Sequence, residues 1–129
     1  IIPAIVGMYV GIGMLRASGF FDVIALILQP AFQHLSISTD IIPLSLMRPI
    51  SGSGSIALFA ETIDRFGPDS IEALTSATIL GSTETTFYVI AVYFGAIGIK
   101  RYRYAVTVGL LADLAGIIAS IAICQLLFA

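Results

Sequence analysis

Two polar segments interrupt otherwise apolar sequence, and they hold most of the side chains that could bind a solute. The first, residues 48–55, reads Arg-Pro-Ile-Ser-Gly-Ser-Gly-Ser and combines a cationic fork with hydroxyls and free backbone amides. Because arginine and exposed amides both favour negative charge, this segment is a candidate site for an anion or a headgroup. Alternatively, Arg48 extends to a membrane interface and Ser53 or Ser55 caps the following helix. The candidate residues are Arg48, Ser51, Gly52, Ser53 and Gly54.

The second segment, residues 81–86, reads Gly-Ser-Thr-Glu-Thr-Thr and places one carboxylate among hydroxyls. Glu84 could bind a polar solute or exchange a proton, since ionisable groups at membrane depth are costly and are functional candidates by default. Alternatively, Glu84 is a first-turn acid at the interface that interacts with the dipole of the next helix. The candidate residues are Ser82, Thr83, Glu84 and Thr85.

Asp113 is a third candidate, because it interrupts a long apolar stretch. With Gly109, Gly116 and Ser120 it follows a spacing of i, i+4, i+7 and i+11, which places all four on one helix face. We expect this face to contact protein. Asp113 could pair with Arg48 or join a polar path with Glu84, or it could only hydrogen-bond a neighbouring helix.

The sequence lacks the common catalytic and metal-binding motifs. No Gly-Lys-Ser/Thr follows the glycines of residues 48–55, which excludes a P-loop, and no Gly-x-Ser-x-Gly elbow occurs. His34 is the only histidine, and Cys124 is the only cysteine, so an internal disulfide or a cysteine-rich metal site is excluded. We therefore expect no enzyme activity, no metal and no cofactor.

The elements that position these residues are expected to be membrane helices. Hydrophobic residues make up 58% of the chain and charged residues only 11%, far below the usual quarter or so of a soluble domain. Six basic residues stand against eight acidic ones, giving a net charge of -2. There is no broad basic surface, so we expect no nucleic acid partner.

The clearest predicted span is residues 104–128, which exceeds the roughly 20 residues that a bilayer helix requires. The basic cluster at residues 100–103 (Lys-Arg-Tyr-Arg) predicts that the preceding loop is cytoplasmic. Residues 86–99 are too short to cross unless the helix begins near Ser82, which would place the acid of the second segment at membrane depth. Upstream, residues 1–15 are expected to complete a span, and residues 20–35 to bend or end at Pro30.

Three short helices are predicted between these apolar stretches. They cover residues 41–47, capped by Asp40; residues 56–66, after a loop at 51–55; and residues 70–80, where Asp69 and Glu72 form a capping box. Glu61 and Arg65 have the spacing of a helical ion pair. Short helices beside polar breaks are typical of discontinuous membrane helices. The predicted fold class is all-α: a polytopic membrane protein with transmembrane helices and broken or re-entrant helical hairpins.

Several motifs resemble the nucleoside-recognition, or Gate, family of membrane proteins, and in particular its spore maturation members. They are residues 48–54 (RPISGSG), 67–70 (GPDS), 81–89 (GSTETTFYV), 92–96 (VYFGA) and 109–113 (GLLAD), and they cover nearly the whole chain. Family members often have Asp at the position of Glu84, so the carboxylate is kept. Residues 81–84 also resemble the Gly-Gln-Thr-Glu of a substrate-binding hairpin in concentrative nucleoside transporters.

The resemblance implies a single Gate-type membrane domain over residues 1–129, which we expect to lack an additional N-terminal helix of the family. It implies a multipass protein of the bacterial inner (plasma) membrane, in contact with lipid, that acts with a homologous membrane subunit resembling spore maturation protein A. A homo-oligomer is an alternative assembly. The leading hypothesis is a transporter-like subunit for a polar solute, contributing to spore core dehydration or envelope maturation. The alternative is a non-transporting scaffold for cell-wall or spore-cortex enzymes.

Overall fold

The computed structural model describes residues 2–34 and 37–128, with the backbone alone for Phe32 and His34, so the histidine side chain lies outside what is described. The described residues are all-α, as the sequence predicts. They form helices α1 (Ile2–Ala17), α2 (Phe20–His34), α3 (Ile42–Met47), α4 (Gly52–Phe66), α5 (Ile71–Ser82), α6 (Thr86–Ala96) and α7 (Ala105–Phe128), with a 3-10 turn at Thr39–Ile41.

Helix α7 is the one helix of the described residues that is long and apolar enough to cross a bilayer alone. Its 24 residues rise about 36 Å at 1.5 Å per residue. Only 17% of its most apolar 18-residue stretch is buried, whereas the core helix of a soluble protein would be mostly buried. The span predicted at residues 104–128 is therefore confirmed in position, length and composition.

Helices α1 and α2 together are also long and apolar enough to cross, but they are bent by 63°. The chain turns at Gly19, whose φ of 76° is a left-handed conformation that glycine adopts readily. Helix α2 does not end at Pro30, because it continues through this residue to His34; a bend at Pro30 stays a prediction. The pair is a broken span or a re-entrant hairpin.

Helix α4 begins earlier than its sequence predicts, so the loop expected at residues 51–55 is wrong. The chain is helical from Gly52 onward. A Cβ atom added at Gly54 would lie 2.7 Å from Met8 Cε and 3.0 Å from Met47 Cγ. Glycine suits this position because α1 and α3 pack closely against the first turn of α4, where a side chain would collide with them.

Serine side chains, rather than the predicted residues, cap three of the elements. Ser38 Oγ accepts a hydrogen bond from the Asp40 amide at the 3-10 turn, and Ser51 Oγ accepts one from the Gly54 amide at the start of α4. Ser70 Oγ accepts one from the Ala73 amide of α5. Each serine lies just outside its element in extended backbone, the geometry that an N-cap requires. The predicted caps Asp40, Ser53, Ser55 and Asp69 do not fill these positions.

The helical ion pair predicted between Glu61 and Arg65 is also wrong. Glu61 lies 3.0 Å from Arg16 of α1, and Arg65 lies 3.1 Å from Asp40. Both side chains of α4 therefore join other segments of the chain. Ion pairs between segments hold α4 in place, whereas a pair within α4 would stabilise that helix alone.

The described chain buries hydroxyl groups beside its apolar core and exposes many large apolar side chains. A small apolar core forms where α1, α3, α4, α5 and α7 meet, and around it many hydroxyl groups are buried. Large apolar side chains face outward along α2, α6 and α7. Buried examples are Thr75, Ser76, Thr83, Asp113 and Ser120; exposed ones are Ile27, Tyr93, Val108, Leu126 and Leu127. This arrangement fits a lipid environment.

Candidate functional site

The centre of the candidate site is the interruption between helices α5 and α6. Helix α5 ends at Ser82 and α6 begins at Thr86, with extended backbone at Thr83. A helix C-terminus carries partial negative charge and a helix N-terminus partial positive charge. The break therefore brings two oppositely charged helix ends together, and each requires a partner at membrane depth.

Arg48 is the partner of the α5 C-terminus. Its Nη2 donates to the carbonyl oxygens of Leu80, at 2.9 Å, and of Thr83. Its Nε donates to the Thr83 hydroxyl at 3.1 Å. The arginine is 8% exposed, so its charge is withdrawn from solvent and stabilises the carbonyl end of the helix. Neither sequence-based interpretation anticipated this, since each placed Arg48 at an anion or at the membrane interface.

Asp113 of α7 is the partner on the α6 side. Its Oδ1 accepts a hydrogen bond from the Glu84 amide at 3.3 Å, and its Oδ2 accepts one from the Thr86 hydroxyl. The residue is 6% exposed. Among the described ion pairs there is none between Asp113 and Arg48, so the proposed pairing of those two is wrong. Asp113 instead bonds to the segment that contains Glu84, through the backbone amide of Glu84.

The predicted stripe on α7 faces the break along its whole length. A Cβ atom at Gly109 would lie 2.6 Å from Thr86 Cγ2, and one at Gly116 would lie 2.9 Å from Thr83 Cγ2. Further along, the Ser120 hydroxyl lies 2.8 Å from that of Ser82. The expectation that this face contacts protein is confirmed. The two glycines let α7 approach the interrupted backbone closely enough for Asp113 to reach it.

Glu84 differs from its neighbours because its side chain is 72% exposed. Its Oε1 accepts hydrogen bonds from the Thr85 amide at 3.1 Å and the Thr85 hydroxyl at 3.3 Å. The same oxygen lies 3.9 Å from Arg48 Nη2, at the outer limit of an ion pair. The carboxylate is thus oriented by the break but still accessible to a solute.

The two polar segments predicted from sequence meet in space. A cleft of about 260 Å³ is lined by Ser51, Gly52 and Ser53 from the start of α4, by Thr85 from the break, and by Ile50 and Tyr88. The backbone joins them as well, because the Phe87 amide donates to the Pro49 carbonyl at 3.1 Å.

The candidate residues divide into two groups. Ser51, Gly52, Ser53 and Thr85 line the cleft, and Glu84 is bonded to Thr85. Arg48, Ser82, Thr83 and Asp113 instead bond to the helices around the break, and Gly54 packs against methionines. Sequence reasoning missed Tyr88, which lines the cleft, and the role of the Leu80 carbonyl. Tyr88 lies in the first turn of α6, four residues after Glu84, and its closeness in sequence to the second polar segment could have indicated it.

The fold and the site together define a helical membrane protein built around an interrupted helix. The family model described as nucleoside recognition, Gate, matches residues 1–100, and the chain belongs to that family. The sequence is 48% identical over 128 residues to spore maturation protein B of Bacillus subtilis (strain 168), an alignment that covers 99% of this chain and 72% of that protein. The chain is therefore a homologue of spore maturation protein B, as its motifs predict. No solved structure matches it.

Proposed function

We propose that the chain is a transporter-like subunit of the bacterial inner membrane that binds a polar solute at the cleft between α4 and the α5–α6 break. The observation that carries the proposal is the exposed Glu84 carboxylate, bonded to a residue that lines this cleft. Interrupted helices in membrane proteins place charged helix ends and free backbone groups beside a solute. The similarity to spore maturation protein B supports a role in spore maturation, through core dehydration or envelope maturation.

The chemistry of the cleft favours a neutral or cationic solute over an anion. Arg48 could have attracted an anion, but its guanidinium donates to the α5 carbonyls and to Thr83. The exposed charge beside the cleft is the Glu84 carboxylate, which is bonded to Thr85, and Ser51, Ser53 and Thr85 line the cleft. A solute with hydroxyl or amine donors matches these acceptors. A nucleoside or a polyol has such donors.

A homologous membrane subunit completes the site in this proposal. The cleft is open on one side, and the described part of the chain provides one helix that crosses alone and one bent pair. A multipass partner of the spore maturation protein A type would supply further spans and close the cleft. This assembly would exclude water from the break, which strengthens each hydrogen bond to the solute.

Substitution of Glu84 tests the proposal. Full-length protein and its partner would be reconstituted into liposomes and assayed with a labelled nucleoside, a polyol, a polyamine and a dicarboxylate. We expect uptake of a neutral or cationic member, and a loss of about tenfold or more in Glu84→Gln, because a hydrogen bond to a charged group contributes roughly 1.5–3 kcal/mol. Glu72→Gln is the matched control, since Glu72 lies in the first turn of α5, at the end of that helix far from the break.

Full activity of Glu84→Gln would remove Glu84 from the mechanism, and preferential uptake of the dicarboxylate would overturn the solute class. A scaffold for cell-wall or spore-cortex enzymes is the second candidate function. It is favoured by the number of polar groups at the break that are bonded internally, among them Asp113 and Ser82. A stable complex with the partner that moves and binds none of the four solutes would support the scaffold.

A further inference from the structure

The loop between α6 and α7, residues 97–104, has a defined conformation. Helix α6 ends in a Schellman motif, with the Gly98 amide donating to Gly95 O at 3.2 Å and the Ile99 amide donating to Phe94 O at 2.9 Å. Gly98 has the φ of 70° that this motif requires. The ring of Tyr102 stacks on that of Phe94, with centroids 5.7 Å apart. The loop therefore presents its side chains from a fixed backbone.

The loop concentrates positive charge that the described chain does not neutralise. Lys100, Arg101 and Arg103 are all exposed. Within residues 2–34 and 37–128 none of the three forms an ion pair, although the chain as a whole has a net charge of -2. Between Glu84 and Asp113 the sequence contains no acid. Within the described residues these three cations therefore remain available to a negatively charged partner.

The surface beside these cations is amphipathic. An open cleft of about 370 Å³ is lined by Arg101 and Arg103 together with Tyr102 and Tyr104, and its remaining lining is apolar, from Phe94, Ile99, Ala105 and Val108. The spanning helix α7 begins at Ala105, so the cleft lies where a bilayer's headgroups meet its acyl chains. A free phosphate would use the arginines alone, whereas a phospholipid would use both kinds of lining.

We propose that this loop is a binding site for an anionic phospholipid. Arg101 and Arg103 bind the phosphate through their positive charge, because each cation near an anionic headgroup adds to the attraction. Lys100 adds positive charge, and the start of the acyl chains packs against Ile99 and Val108. The site is separate from the α5–α6 break, so it stands whether or not a solute binds there.

The test compares lipids on the full-length protein. Native mass spectrometry would count and titrate lipids bound in detergent micelles that contain phosphatidylglycerol or phosphatidylcholine. We expect the wild-type protein to prefer phosphatidylglycerol. Each cation near an anionic headgroup contributes about fivefold in affinity, so Arg101→Gln with Arg103→Gln is expected to lower the affinity roughly 30-fold. The exposed position of both residues should leave folding intact.

Two further variants make the result specific. Arg65→Gln removes an exposed arginine that is paired with Asp40, and it should bind phosphatidylglycerol like the wild type. Arg101→Lys with Arg103→Lys should retain most of the binding, because the charge remains. Equal binding of the two lipids, unchanged binding by the double glutamine variant, loss in the double lysine variant, or complete competition by inorganic phosphate would each overturn the proposal.

Discussion

Arg48 shows how a residue's partners, more than its type, decide what it does. An arginine beside serines and glycines is a reasonable anion site on sequence grounds. In the structure its guanidinium instead donates to the carbonyl oxygens of Leu80 and Thr83. A cation at a helix C-terminus is stabilised by the helix dipole. Arg48 is therefore a part of the break's architecture, and the accessible charge at the cleft is that of Glu84.

Replacement of Arg48 by lysine should destabilise the protein although the charge is kept. The flat guanidinium reaches two carbonyls and a hydroxyl, which a lysine ammonium cannot match in geometry. We expect a loss of about 2 kcal/mol in the free energy of unfolding, because buried acceptors lose their partners. The measurement is unfolding in mixed micelles, followed by circular dichroism as the fraction of denaturing detergent increases.

Arg65→Lys is the control for this substitution. Its side chain is 44% exposed in the ion pair with Asp40, and such pairs are typically worth no more than about 1 kcal/mol. If the two lysine variants were equally stable, the role of Arg48 at the α5 terminus would be refuted.

At the scale of elements, the break is supported by two helices: α3, which precedes it in the sequence, and α7, which follows it. Arg48 at the end of α3 supports the C-terminus of α5, and Asp113 of α7 supports the backbone that leads into α6. The cation Arg48 lies at the partly negative C-terminus of α5, and the anion Asp113 lies near the partly positive N-terminus of α6. The backbone groups of Leu80, Thr83 and Glu84 are thus bonded within the protein, an arrangement that a bilayer would require of an interrupted helix.

Gly109→Ala should disturb this arrangement. The new Cβ would lie 2.6 Å from Thr86 Cγ2, and Thr86 cannot rotate away without losing its hydrogen bond to Asp113. We expect a destabilisation of about 1–3 kcal/mol, typical of overpacking. Thr86→Ser removes the methyl group and keeps the hydroxyl, so the double variant should recover most of the loss.

Gly95→Ala provides the comparison, because a Cβ atom there meets nothing within 4 Å. In helix α6 it should be neutral or slightly stabilising, since alanine has the higher helix propensity. The same micelle unfolding assay measures all these variants. Failure of Thr86→Ser to rescue Gly109→Ala would show that α7 packs against the break in some other way.

At the scale of the whole molecule, several hydroxyls and the Asp113 carboxylate are buried, and many large apolar side chains face outward. Helix α7 is long and apolar enough to cross a bilayer, and the cations of the α6–α7 loop, which form no ion pair within the described residues, lie at its N-terminal end. From the positive-inside tendency we expect that loop to lie in the cytoplasm. The far end of α7, near Phe128, is then expected on the opposite face.

Cysteine labelling in cells tests this orientation. In a background without other cysteines, including Cys124→Ser, Tyr102→Cys should react with a membrane-impermeant maleimide only from the cytoplasmic side. Phe128→Cys should react only from the other side, because about 36 Å of helix separates them. Both variants should label fully in detergent. Labelling of both from one side would show that α7 does not span.

Much of this protein could be predicted from its sequence, because the features concerned are local or periodic. The apolar length of α7 indicated a span, Gly67 indicated the end of α4, and the spacing of Gly109, Asp113 and Gly116 identified the face of α7 that contacts protein. Glu84 was identified as an acid in an apolar setting. Each of these features depends on residues that are close together in the sequence, so a sequence pattern can indicate it.

Other features depend on tertiary structure alone. Arg48 bonds to carbonyls more than 30 residues away, and every residue has a carbonyl, so no pattern could identify Leu80 as its partner. The close packing of methionines from α1 and α3 against Gly54 also depends on segments that are distant in sequence. The two polar segments were recognised from sequence, but only the fold brings them to one cleft and turns the arginine away from it, because it is the ends of distant helices that determine where each charge is stable.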